Sequence, residues 1–254
     1  MADPDLTNLL RDWPYEPGQV KARLIEADDG RTLVQMRLDL GIMQMESAGR
    51  PDGQKCLGSE SWLAYYEERR RQHEATQSEE AFVLTPEDCN RIREEIVQHH
   101  HRYVALFVLD EYDGVLRDAE HNLRLIELCR QFGASEEEQT FLMPLLPHTI
   151  MMRCRAQVAK DVEANDTKAA LAHIDLALSE IRALVVDDES DEEEVSSFDE
   201  SGEVQLLRSL RESMVPKLPV SQRTELNERL KQALADENYK LAAILRDELK
   251  SLKE

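Results

Sequence analysis

One stretch constrains the architecture of this chain more than any other. "DDESDEEEVSSFDESGE", residues 187–203, holds ten acidic residues and no basic one. A run of like charge repels itself and offers little to bury, so it reads as a disordered linker, or as bait for a basic partner. It divides the 254 residues into a body, 1–186, and a tail, 204–254.

The whole chain carries a formal charge of −21. Nucleic-acid binding draws on lysine and arginine to neutralise phosphate. The densest basic run, Arg69–Arg70–Arg71, follows two glutamates and reads as the solvated side of a helix. No direct contact with nucleic acid is expected. No apolar run is long enough to cross a membrane, and "MADPDLTNLL" lacks the pattern of a secretory signal. The expected location is cytoplasmic. Cys56, Cys89, Cys129 and Cys154 form no CxxC pair, so they read as reduced, small core residues.

The fold class expected is mainly α with a small N-terminal β-hairpin (α+β). It comprises a helical-bundle body, the acidic linker and a C-terminal antiparallel helical hairpin. In the N-terminal region, 1–58, "VKARLIEA" and "RTLVQMRLDL" flank "DDG", whose final glycine suits a three-residue hairpin loop. Pairing Ala27 with Arg31 makes paired numbers sum to 58. Leu24 then faces Val34, Ala22 faces Met36 and Val20 faces Leu38. Lys21–Arg37 and Arg23–Gln35 form the polar side. A third strand is expected at "IMQME", and the sheet must lean on helices to be stable.

Residues 59–186 read as a bundle. "SESWLAYYEERRRQHEATQ" forms the first helix. "TPED" starts another at Thr85, with a threonine cap and proline in the first turn. Its apolar stripe is Cys89, Ile92, Ile96, Tyr103 and Phe107. Gly114 is a potential break, and a further helix runs from about Val115 to Phe132, stopping at Gly133. "SEEE" at Ser135 is a capping box. Pro144 and Pro147 interrupt the helix begun there, which resumes to about Ala164. In the last body helix the stripe is Leu171, Ile174, Leu178, Ile181 and Val185.

No residue pattern indicates a catalytic site, a cofactor or a metal. His99, His100 and His101 point about 100° apart on a helix and cannot converge on one ion. "DAEH", Asp118–His121, is one acid–histidine pair where a di-iron bundle needs two. A Cys89–His121 pair is open in space, though core cysteine is the simpler reading. Phosphate-binding glycine loops and a GxSxG elbow are missing from the sequence.

In the tail, Pro216 and Pro219 precede Ser221, which sits where a helix cap belongs. Leu226, Leu230 and Leu234 recur every four residues. Asn238 can cap a second helix carrying Ala242, Leu245, Leu249 and Leu252. Two narrow stripes and a short loop predict an antiparallel hairpin over 221–254, with the alanines allowing close approach. "LNERLKQALADENYKLAAILRDELKSLKE" resembles the UVR motif. This is the helical hairpin of the B and C subunits of the bacterial excision-repair nuclease, found also in activators of bacterial protein quality control. The resemblance rests on Asn238, Tyr239, the Ala242–Ala243 pair and Leu245–Arg246–Asp247–Glu248–Leu249. Tyrosine stands where phenylalanine is commoner. Helicase, nuclease and CxxC zinc features of those proteins are missing from the sequence, so the resemblance implies docking only.

The expected function is a non-enzymatic adaptor that docks a partner with a similar hairpin, or a second copy of itself. The contact residues expected are Leu226, Leu230, Leu234, Tyr239, Ala242, Ala243, Leu245, Arg246 and Leu249. Two alternatives stand beside it. The tail recruits an enzymatic or ligand-binding body, or it packs on 85–186 in a structural role.

Overall fold

A computed structural model describes residues 5–76, 80–185, 192–214 and 230–231. The chain divides into two units, Met1–Ser209 and Leu210–Glu254. A short helix α1 (Thr7–Asp12) precedes a three-stranded antiparallel sheet: β1 (Lys21–Glu26), β2 (Thr32–Arg37) and β3 (Ile42–Glu46), in the order β1-β2-β3.

The hairpin register is the one the alternation predicts. Leu24 pairs with Val34, Ala22 with Met36 and Lys21 with Arg37. The ladder stops there, one pair short of Val20 and Leu38. Gly30 closes the loop at φ +80°, and its N–H donates to the Ala27 carbonyl at 2.8 Å. The left-handed position demands glycine because a side chain there crowds the backbone. The third strand lies at Ile42–Glu46, as its sequence suggests.

The polar side of the sheet pairs as expected, Lys21 with Arg37 and Arg23 with Gln35. This face is not solvated: Gln35 and Arg37 are buried. The side chains of Arg23, Gln35 and Gln44 are joined across the three strands by hydrogen bonds of 2.8 Å. Trp13 covers this face; its ring lies 4.2 Å from the Arg23 guanidinium, and its carbonyl accepts from Arg37 Nε. A middle strand covered on both sides must satisfy its polar groups internally.

The bundle comprises α2 (Trp62–Ala75), α3 (Pro86–Val108), α4 (Tyr112–Phe132), α5 (Glu136–Thr140), α6 (Leu146–Glu163) and α7 (Thr167–Val185). Ser61 caps α2 by accepting from Ala64 N–H. Thr85 and Asp88 form a reciprocal capping box on α3. Ser135 caps α5, but the Glu138 carboxylate turns to the serine hydroxyl rather than completing such a box. A 3-10 turn at Met143–Leu145 absorbs Pro144, and Pro147 sits in the first turn of α6. Gly114 is not the break in the helix begun at Thr85: α3 already ends at Val108, and Gly114 lies in the first turn of α4.

Side-chain pairings give the helix directions. Glu95–His121 and Arg102–Asp118 run in opposite senses along α3 and α4. Arg153–Glu120 and Lys160–Asp113 do the same for α6 on α4. Arg153–Glu180 and Asp161–His173 do so for α7 on α6. Each long helix therefore folds back along its predecessor. The apolar core joins Leu63, Tyr66, Leu84, Cys89, Ile92, Ile96, Leu125, Ile126, Cys129 and Leu142. Helix α3 also packs on β1 and β2, which supplies the support the sheet needs.

The stripe of α7 is rotated from the leucine-based expectation. Ala170, Ile174, Ala177 and Ile181 are buried, while Leu171 and Leu178 are half-buried. Small alanines on the inner face let α7 lie close to α6.

The acidic block also departs from a plain linker. Its described part forms α8 (Glu192–Glu200), followed by α9 (Gly202–Met214). Phe198 is the reason: it is buried, with the guanidinium of Arg182 5.8 Å and that of Arg208 5.6 Å from its ring. Arg208 also pairs with Asp199 at 2.6 Å. One aromatic anchor and two cations offset the self-repulsion that the composition predicts. Val204 and Leu207 are completely buried, so the compact unit extends beyond residue 186.

Candidate functional site

The tail residues expected to dock a partner fall mostly outside the described residues. These are Leu226, Leu234, Tyr239, Ala242, Ala243, Leu245, Arg246 and Leu249. Leu230 is described: it is helical and half-buried, beside an exposed Lys231.

The chemistry-bearing side chains of the body converge instead on the seam between α3 and α4. Asp88, Glu95 and Arg102 recur every seven residues on α3, with His99 between the last two. That spacing puts them on one stripe, where a bundle normally places apolar groups; Glu95 and Arg102 meet α4, and Asp88 meets α2. Glu95 has no exposed surface. Its carboxylate accepts from the N–H of Trp62 at 2.8 Å and of Leu63 at 3.3 Å, at the open start of α2. His121 Nε2 lies 2.8 Å from the same carboxylate, and Arg50 lies 3.7 Å away. Burial raises the Glu95 pKa, but His121 and the α2 N–H bring the net shift below the ordinary carboxylate range. A buried carboxylate thus caps one helix and holds a second.

His99 stacks on His121 with ring centroids 4.0 Å apart. Burial, with His121 nearby, pushes its pKa down to about 4, so it is neutral at physiological pH. Further along, Arg102 binds Asp118, and the carbonyl of Glu46 accepts from Arg102 Nη1 at 2.9 Å. Arg117 also reaches Asp118 and donates to the Ser47 carbonyl. The seam therefore ties the end of β3 to both helices. At the other end, Tyr66 donates its hydroxyl to Asp88 at 2.8 Å.

These contacts answer the fragments that the sequence singles out. The ends of "DAEH" serve different partners: Asp118 takes Arg102 and Arg117, and His121 takes Glu95. His99 enters the seam, and His100 shares a 2.7 Å hydrogen bond with the Tyr103 hydroxyl. His101 only meets the His100 ring edge-on, at 5.7 Å between centroids. Cys89 does not serve His121; it lies with Cys129 in the apolar core, and all four cysteines are buried and free. Among the described residues no three His, Cys, Asp or Glu side chains gather as a metal site. The arrangement positions helices: Glu95 joins α2 to α3 and α4, and Arg102 joins α3 and α4 to the end of β3. Sequence reasoning missed the seam, although polar residues at seven-residue spacing inside an apolar stripe were its visible signal.

The tail carries a sequence pattern that matches a known family. Residues 221–254 match the UvrB/uvrC motif. The UvrB/uvrC motif is a protein-interaction or DNA-repair-related module, and such motifs mediate protein–protein contacts in general. It covers the tail hairpin that the leucine stripes predict. No curated protein and no solved structure matches the chain. Among the described residues no helix is long and apolar enough to cross a membrane.

Proposed function

We propose that this protein is a non-enzymatic adaptor, which docks a hairpin of the same kind through residues 221–254, on a partner or on a second copy. The observation that carries this reading is the match of 221–254 to the UvrB/uvrC motif. Physical argument supports it. A 34-residue hairpin is below the size at which a domain usually holds alone, so its leucines need another surface. A second hairpin making a four-helix bundle buries both stripes at once. Leu226, Leu230, Leu245 and Leu249 supply the apolar contact in this reading, with Tyr239 at the loop edge. The chain works in the cytoplasm and needs neither nucleic acid nor a membrane.

The test uses the full chain beside the double variant Leu245→Asp/Leu249→Asp, which carries charge into the stripe. Sedimentation of each protein alone reads self-association. A pull-down with an isolated excision-repair hairpin as bait reads docking to a similar hairpin. The expected result is that the full chain associates in at least one format and the variant in neither. Equal behaviour of the two proteins in both formats overturns the proposal. Thermal melting of the body, unchanged by the variant, separates lost docking from misfolding.

A further inference from the structure

Helices α3 and α6 both run against α4, so they run parallel to each other. They are also in step. The His100 and His148 rings lie 5.3 Å apart at their centroids. Two turns further along each helix, the Arg155 guanidinium lies 4.2 Å from the Phe107 ring. A seam walled by α3 and α6 joins these two contacts.

The rim of the seam is apolar where a helix normally shows polar residues to water. Val97, His101, Val104 and Val108 fall at i, i+4, i+7 and i+11 on α3, which puts them on one stripe. Val97 and Val108 are 44 % and 46 % exposed, and His101 and Val104 are half-buried. Leu145, at the start of α6, is 38 % exposed and lines the same hollow as Val97. Valine is a middling helix former, so helix propensity gives no reason for three of them on an outer face.

Arg155 marks one end of this stripe. Its guanidinium stacks on Phe107, and its Nη1 donates to the Met152 sulfur at 3.6 Å. The other buried or half-buried arginines of α2 to α7 are Arg69, Arg70, Arg91, Arg102 and Arg153, and each reaches a carboxylate. Among the described residues Arg155 reaches none. Burial lowers its pKa from the ordinary arginine value, and no anion offsets that. Acid is not scarce, since the chain has 52 acidic residues against 31 lysines and arginines. A desolvated guanidinium with N–H groups to spare is completed by a carboxylate, which it can grip with two parallel bonds.

We infer that the α3–α6 seam docks a partner's amphipathic helix, which sets an acidic side chain on Arg155 and its apolar stripe on Val97, Val104 and Val108. From 97 to 108 the valine stripe is about 16 Å long, the length of three helical turns. Apolar residues at i, i+4 and i+7 of a partner helix match it, and charge complementarity at Arg155 fixes which end carries the acid. This surface is separate from residues 221–254.

The test probes are two dye-labelled helical peptides, titrated with the full chain and read by fluorescence anisotropy. One has leucines at i, i+4 and i+7 and a single glutamate a turn beyond, and is otherwise uncharged. Its twin has glutamine in place of the glutamate. The glutamate peptide is expected to bind at least about tenfold more tightly, as a charge-assisted bond predicts. Arg155→Met keeps a stem against Phe107 and is expected to abolish that preference without lowering the melting temperature. Val97→Gln/Val108→Gln is expected to weaken both peptides about tenfold through lost apolar contact. Binding of neither peptide overturns the inference, and so does equal affinity for the two. A preference that survives Arg155→Met, or binding that survives the glutamine variant, places the contact elsewhere and overturns it too. Sedimentation of the full chain beside Arg155→Met covers the other occupant. Self-association lost in that variant, with no peptide bound, would assign the seam to a second copy and overturn the choice of partner.

Discussion

Arg102 on α3 and Asp118 on α4 form a two-pronged ion pair, Nε to Oδ2 at 2.6 Å and Nη2 to Oδ1 at 2.7 Å. Each side chain is 1 % exposed. Removing Arg102 leaves buried Asp118 with only the half-exposed Arg117 as a charged partner, at 3.0 Å. Arg102→Met is expected to cost about 3–5 kcal/mol in urea unfolding. Replacing both residues by leucine is expected to recover most of that loss, because the desolvation penalty goes with the charges. A double variant as unstable as the single one would show that Arg102 acts mainly through the Glu46 carbonyl it also binds.

Stability is expected to fall with acid before the carboxylates titrate. In the unfolded chain His99 takes up its proton near pH 6.5; in the fold burial delays this to about pH 4. Between those values the unfolded state holds more protons, so stability declines as pH falls through the window. His99 contributes on the order of 2–3 kcal/mol of that loss, and the less buried His100 a smaller share. Glu95 and Asp118 have lowered pKa values, so their contributions persist to lower pH. Urea midpoints at pH 7.5, 5.5 and 4.5 measure the slope, and His99→Gln is expected to flatten it. An unchanged slope in that variant rules His99 out as its source.

Phe198→Ala is expected to release α8 while leaving the bundle intact. Truncating a buried phenylalanine costs about 3–5 kcal/mol where the site cannot collapse. Here the loss is local, so hydrogen exchange should accelerate across 192–200 and stay slow in α3 and α4. Uniform acceleration would mean that Phe198 belongs to the global core.

A chain ending at 203 lacks Val204 and Leu207, both with no exposed surface, whereas a chain ending at 214 keeps them. The shorter protein is expected to melt several degrees lower, since two buried aliphatic side chains are worth about 1.5–3 kcal/mol each. Equal melting temperatures would return the domain boundary to residue 186.

Gly133→Ala is expected to be destabilising. A Cβ there would stand 2.9 Å from the Cys129 carbonyl and 3.0 Å from the Gln139 nitrogen, which are backbone atoms that cannot swing aside. Displacing them costs about 1–3 kcal/mol. Gly114→Ala makes the control, because its Cβ meets only the tip of Leu106. Equal loss in the two variants would remove the steric explanation.

The hairpin register, the third strand, the Thr85 cap and the stop at Gly133 were all legible in the sequence. Each depends on residues close together in the chain: alternation, a left-handed glycine or a side chain within hydrogen-bond reach of its own helix. The tail motif was legible for the same reason, since a tyrosine, an alanine pair and "LRDE" at short spacing carry it. What the tertiary structure decided were the choices between equal local options. Ala170 and Ala177 rather than Leu171 and Leu178 turn inward on α7, because a neighbouring helix selects the smaller face. Glu95, His99 and Arg102 enter the interior because α4 and the start of α2 supply their partners. Phe198 turns part of an acidic run into a helix because Arg182 and Arg208 stand beside its ring. Periodicity tells which residues share a face; only the neighbour across the gap tells what that face is worth burying.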